Sequence, residues 1–208
     1  MNWGTTFLTF IRIAIISFFY FLHSPVQARY ESEELRSVEK LEEKKIRSLN
    51  HQELHELEIA LKRRLPIHRR ADMYFRLAEL YFDSYRLEFL LEGRVHEKKI
   101  ASGVSDKFID RYHSKIYLNL GIQACLDILK FRISFKKMAD IYYLLGFYYS
   151  EKEDQKTSAM YYLKLFNQYP NHPLSGLALK ELGNYFFKKS DFHQSLFYFK
   201  KALHLLEE

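Results

Sequence analysis

Two stretches of the chain, 37 residues apart, carry the same kinds of side chain at the same helical spacing. One has Leu145, Gly146 and Tyr149; the other has Leu182, Gly183 and Phe186. A looser copy lies upstream at Leu77, Ala78 and Tyr81. A recurrence in the range of about 20–50 residues marks stacked supersecondary units, each too small to bury its own apolar face. A second apolar helical segment follows each of the two clear triplets. It carries Ser158, Tyr162 and Leu165 before Pro170 in one copy, and Ser195, Phe199 and Ala202 in the other. A small residue lets two antiparallel helices approach closely, and an aromatic one turn later fills the gap towards the next helix. The expected fold class is therefore all-α, built from helical hairpins in a row.

Composition narrows the alternatives. Seven glycines and four prolines in 208 residues are too few for a turn-rich sheet protein or for most glycine-rich phosphate loops. With 48% hydrophobic and 17% aromatic residues, the chain has ample material for a core. A single cysteine, Cys125, excludes a disulfide framework and any multi-cysteine metal site. The net charge of +6 is spread among interleaved acids and bases. The basic pairs Arg69/Arg70, Lys98/Lys99, Lys136/Lys137, Lys188/Lys189 and Lys200/Lys201 fall mostly near predicted helix ends, where cations complement the helix dipole. No nucleic-acid partner is expected from that pattern.

The N-terminus reads as an export signal. Arg12 precedes a ten-residue apolar run, 13–22, interrupted only by Ser17, and the short segment His23-Ser24-Pro25-Val26-Gln27-Ala28 follows. That order predicts a signal peptide over 1–28, cleaved between Ala28 and Arg29. The alternative is an uncleaved membrane anchor, with the apolar count extended back to Trp3. The expected location is periplasmic, soluble after cleavage, or else anchored in the inner membrane, with membrane contact only through that N-terminus. No cysteine stands near residue 28 to be acylated.

Residues 29–66 are predicted as an N-terminal helical segment. One helix spans 31–49, with Leu35, Val38, Leu41, Ile46 and Leu49 as its stripe. Asn50 and Glu53 then read as a capping box that opens a second helix, with Leu54, Leu57 and Leu61 inward and Pro66 ending it. Residues 67–208 hold the repeats. An irregular unit spans about 70–137, its first helix running on through Phe89 and Leu90. A polar loop with Gly93 and Gly103 is inserted at 92–107, and the second helix resumes near Phe108. Regular units follow at 138–174 and 175–208.

The run Leu182-Gly-Asn-Tyr-Phe-Phe-Lys-Lys-Ser-Asp-Phe-His-Gln-Ser-Leu-Phe-Tyr-Phe-Lys-Lys-Ala-Leu203 resembles a tetratricopeptide repeat (TPR). The family's small position matches Ala78, Gly146 and Gly183, and its aromatic position matches Tyr81, Tyr149 and Phe186. With Leu77, Leu145, Leu182 and Ala202 these are the expected repeat-packing residues. The family's closing proline matches Pro170 but is Glu207 in the last copy. The 37-residue spacing around Tyr169-Pro170-Asn171-His172-Pro173 is similar to that of bacterial envelope TPR proteins. These include the Tol–Pal-associated cell-division coordinator, the TPR subunit of the outer-membrane assembly machine and TPR proteins of gliding-motility complexes.

The resemblance implies a TPR-type helical-hairpin solenoid behind an N-terminal helical segment. Its concave face would be lined by the first helix of each repeat. The partner-binding groove carried over comprises Phe75, Glu79, Phe82, Tyr143, Phe147, Lys180, Asn184 and Phe187, flanked by Asp72, Asp140, Ser150 and Leu177. Lys180 and Asn184 match half of a carboxylate clamp, without the remaining clamp residues. The implied function is a non-enzymatic adaptor of the cell envelope that binds another envelope protein or a peptide segment. The alternative is a self-assembling component of an envelope machine, a homo-oligomer joined through the last repeat, where Leu196, Leu203 and Leu206 would face outward.

Other chemistry is weakly marked. His51 and His55 share a helix face, but Gln52 stands where a zincin motif requires glutamate, and a third ligand is not evident. Ser37/Lys40 and Ser134/Lys137 have the Ser-x-x-Lys spacing without the partner motifs that hydrolases of that type use. Cys125 falls on a predicted buried face, where a thiol is inert. No catalytic, cofactor or metal residue is assigned.

Overall fold

The computed structural model describes the backbone of residues 25–104 and 108–207, and side chains over 40–104 and 108–205. The apolar run 13–22 lies outside the described residues. Seven helices follow in order: α1 (Pro25–Leu61), α2 (Ile67–Ala101), α3 (Tyr112–Lys130), α4 (Met138–Glu151), α5 (Gln155–Gln168), α6 (Leu174–Lys188) and α7 (Phe192–Glu207). The described residues contain no strand. The chain divides into two compact units, Met1–Ser48 and Leu49–Glu208. The first contributes the opening part of α1, in which Ala28 and Arg29 fall near the N-terminal end of the helix.

Three boundaries differ from the sequence reading. α1 runs unbroken through Asn50, so the expected capping box opens no new helix there. Instead the helix continues because its last turns are held in the core of the second unit. Leu54 is buried, with Leu57 and Leu61 packed beside it. The Arg76 guanidinium donates to both carboxylate oxygens of Glu53 at 2.6 and 2.9 Å, holding that carboxyl below its usual range. These turns belong to the second compact unit, which begins at Leu49. Pro66 does not end α1, which stops at Leu61; it precedes α2, with its φ of −56° suited to entering a helix.

The third difference is the predicted loop at 92–107. α2 continues through it to Ala101, for a length of 35 residues, and α3 begins at Tyr112 rather than near Phe108. Glu92 accounts for the continuation. Its carboxylate accepts the backbone N–H groups of His113 and Ser114 at 2.8 and 3.1 Å and the Ser114 hydroxyl at 2.6 Å. An acidic residue on α2 therefore caps the N-terminus of α3, where unpaired N–H groups and a positive helix end meet. Gly93 is carried in the helix interior at the usual cost of about 1 kcal/mol relative to alanine.

α4/α5 and α6/α7 form two hairpins that repeat one another atom group by atom group. In each, the second helix places a ring against the glycine of the first: Tyr162 on Gly146 and Phe199 on Gly183. A Cβ at either glycine would stand 2.5–2.6 Å from ring carbons. A buried serine hydroxyl donates to the same glycine's carbonyl, Ser158 to Gly146 at 2.7 Å and Ser195 to Gly183 at 3.0 Å. The aromatics one turn after each glycine stack nearly parallel on their partners, Tyr149 on Tyr161 and Phe186 on Tyr198, at interplanar angles of 13° and 9°. Each connecting turn uses a left-handed residue, Glu153 (φ 64°) or Ser190 (φ 61°). An aspartate follows it, accepting from the backbone N–H three residues on: Asp154 from Thr157, and Asp191 from Gln194.

Consecutive helices from α2 onward pack on one another. In addition α2 touches α4 and α4 touches α6, whereas α3 and α5, and α5 and α7, do not approach as closely. The first helices of successive hairpins therefore converge while the second helices splay. The core follows from that arrangement: one cluster joins the end of α1 to α2, α3 and α4, and another joins α4 to α7 through Leu165, Leu179 and Leu182. Tyr148 links two layers, its ring against Gly121 and its hydroxyl donating to the Ala78 carbonyl at 2.8 Å.

Candidate functional site

The residues expected to pack the repeats lie in the interior. Leu77, Ala78, Tyr81, Leu145, Gly146, Leu182, Gly183 and Ala202 are buried, and Tyr149 and Phe186 are half-buried. Tyr81 donates its hydroxyl to Glu58 on α1 at 3.2 Å.

The groove residues separate into a closed part and an open part. Phe75 is only 4% exposed, set against Phe135 and beneath the Lys137 ammonium, which lies 4.3 Å from its ring centroid. It offers a partner no surface. Phe82 and Phe147 pack edge to face at 4.9 Å, with Tyr85 against Phe147 and the Arg86 guanidinium over Phe82. These rings largely cover one another. Glu79 is drawn into the Arg76–Glu53 network at 3.3 Å. Tyr143 is half-buried on Tyr162, and burial pushes its phenol up from the usual value.

Openness is concentrated on α6. Lys180 is exposed, 3.4 Å from the Glu181 carboxylate, and Asn184 donates to that carboxylate at 3.1 Å. Phe187 is 59% exposed. Asn184 and Phe187 border a small cleft of about 130 Å³ with Tyr162, Glu181 and Ser150, at the junction of the two hairpins. Of the eight groove residues, then, the structure brings Asn184 and Phe187 to one open concavity beside Lys180. Lys180 and Asn184 both contact the Glu181 carboxylate, whose negative charge disfavours a partner's carboxylate beside them.

Three further concavities were not singled out by the sequence. A cleft of about 550 Å³ lies where α2, α3 and the end of α4 meet. There the Arg111 guanidinium sits 3.6 Å from the Phe89 ring centroid and donates to the Phe89 carbonyl, and the Tyr85 hydroxyl donates to Glu151. A pocket of about 300 Å³ brings His113 of α3 beside His51, His55 and Glu58 of α1. The Tyr117 hydroxyl is 3.3 Å from His51 Nε2. Among the described residues no group of three or more His, Cys, Asp or Glu is placed to hold a metal ion. The third is an apolar groove of about 390 Å³ between α5 and α7, considered below.

Cys125 is fully buried, and desolvation pushes its thiol far above the usual range. A thiol held protonated in the core is a poor nucleophile. No described helix is long and apolar enough to cross a membrane. No model of a known protein family matches the chain, and no curated protein matches it either.

Proposed function

We infer that this protein is a non-enzymatic TPR-type adaptor of the bacterial cell envelope, exported through its N-terminal signal and holding a partner on a concave face formed by α2, α4 and α6. The observation that carries this reading is the duplicated hairpin. Glycine, serine, ring stack, left-handed turn residue and capping aspartate recur together at 37 residues in α4/α5 and α6/α7. Convergence of the first helices gives such an array an inner face. The open part of that face is Asn184, Phe187 and Lys180, an aromatic anchor beside polar groups, which suits capture of a helix or peptide.

Photo-crosslinking in living cells tests it. A photoreactive side chain replaces Phe187, and a second variant carries it at Met160 on the outer side of α5 as control. The expected result is one envelope protein attached at Phe187 and not at Met160. Equal labelling at both positions, or a cytoplasmic partner, overturns the reading. Mass spectrometry of the purified product also reads the N-terminus, which is expected to be Arg29.

A further inference from the structure

We propose that the groove between α5 and α7 is the docking site for the acidic N-terminal part of α1 from a second copy of the chain, giving head-to-tail association. The site lies on the splayed side of the hairpins, away from the concave face, and the inference does not depend on what that face binds.

The groove exists because α5 and α7 do not close on each other. Its floor is apolar, built from Phe166, Pro170, Phe197 and Leu205, and its rim carries Lys200 and Lys201, both exposed. Lys201 places its ammonium 5.1 Å from the Phe166 centroid and 4.6 Å from that of Phe197, so a cation stands between two exposed or half-buried rings. Phe197 is 45% exposed, and Leu196 and Leu203 are more so. The occupant called for is a helix with an apolar stripe bordered by carboxylates.

The chain contains such a helix. Residues 31–43 hold six carboxylates, Glu31, Glu33, Glu34, Glu39, Glu42 and Glu43, against two cations, Arg36 and Lys40, for a net charge of −4. Leu35, Val38 and Leu41 recur among them at helical spacing, and the backbone there is helical. Leu41 is 68% exposed and Ile46 is 49% exposed. In a chain whose total is +6, this segment is thus a strongly acidic stretch with an apolar stripe. A second copy supplies both halves of the contact at once. Because the two surfaces differ, the contact is heterologous and repeats from copy to copy, in an open row or a closed ring.

The test uses the full chain in bacterial cells with a photoreactive side chain in place of Phe197. The expected product is a ladder of multiples of the chain, with the crosslinked peptide of the second copy falling within 31–43. Lys200→Glu with Lys201→Glu reduces the ladder at least tenfold. So does Glu33→Lys combined with Glu34→Lys, Glu39→Lys and Glu42→Lys. Co-expressing the two variants under different tags restores the ladder with the two tags alternating, because the unaltered helix of one variant meets the unaltered groove of the other and the two charge-reversed surfaces are again of opposite sign. That restoration also shows that neither set of substitutions unfolds the chain. A crosslink within one chain, a crosslink only to a different protein, no crosslink at all, or a ladder indifferent to charge reversal each overturns the proposal.

Discussion

At the scale of single residues, the two hairpins make a matched pair of sites whose differences are informative. At Gly146 and Gly183 a ring from the following helix occupies the space that a side chain would need. Tyr162 is 3% exposed and packed on Tyr143, so it has nowhere to retreat. Phe199 is half-buried and can slide outward. Gly146→Ala is therefore expected to cost about 1–3 kcal/mol by overpacking, less the gain of up to about 1 kcal/mol that alanine brings to a helix. Gly183→Ala should cost less than half as much. Urea unfolding of both variants checks the order; equal effects would show that ring mobility does not decide the cost. The glycines were legible in the sequence because a small residue at helical spacing has few other uses. Asp154 and Asp191 recur at the same interval, but spacing alone does not mark them as caps. A capping aspartate looks like any surface aspartate until the left-handed residue before it fixes the turn.

At the scale of elements, long-range contacts overrode local signals. Glycine and a polar run made 92–107 read as a loop, and local propensity alone supports that. What carries α2 through is Glu92, which gives up solvent to cap α3 twenty-one residues further along the chain. No local pattern announces such a pairing. The same holds for Asn50, whose expected role as a cap is displaced by the packing of Leu54, Leu57 and Leu61 against the core. The helix through Gly93 makes a direct prediction. A Cβ there meets nothing within 4 Å, and the backbone is helical. Gly93→Ala should stabilise the protein by about 0.5–1 kcal/mol and raise its melting temperature by about 2 °C. Were Gly93 instead a loop glycine at positive φ, alanine there would lower the melting temperature.

At the scale of the whole molecule, the aromatic content that marked the chain as a folded protein also sets how it responds to alkali. Which of its 16 tyrosines are buried could not be read from spacing, because that depends on how the helices cross. The crossings bury Tyr148 completely and Tyr162 almost so, and desolvation raises both phenols well above their usual value of 10.0. A raised phenol pKa favours the neutral form in the folded state. Its contribution is intact below pH 10 and is lost as the pH rises from there towards the folded value, because only the unfolded chain releases the proton. Each such tyrosine then removes about 1.4 kcal/mol of stability per pH unit. The expected outcome is a melting temperature that falls steeply above about pH 10. Lysine deprotonation acts in the same range, so Tyr162→Phe supplies the comparison. It deletes one of these phenols while keeping the ring against Gly146. Its alkaline slope should be shallower by that same increment of about 1.4 kcal/mol per pH unit. An unchanged slope would mean that Tyr162 ionises as readily in the folded chain as in the unfolded one, and that the seam between the two hairpins admits water to its hydroxyl.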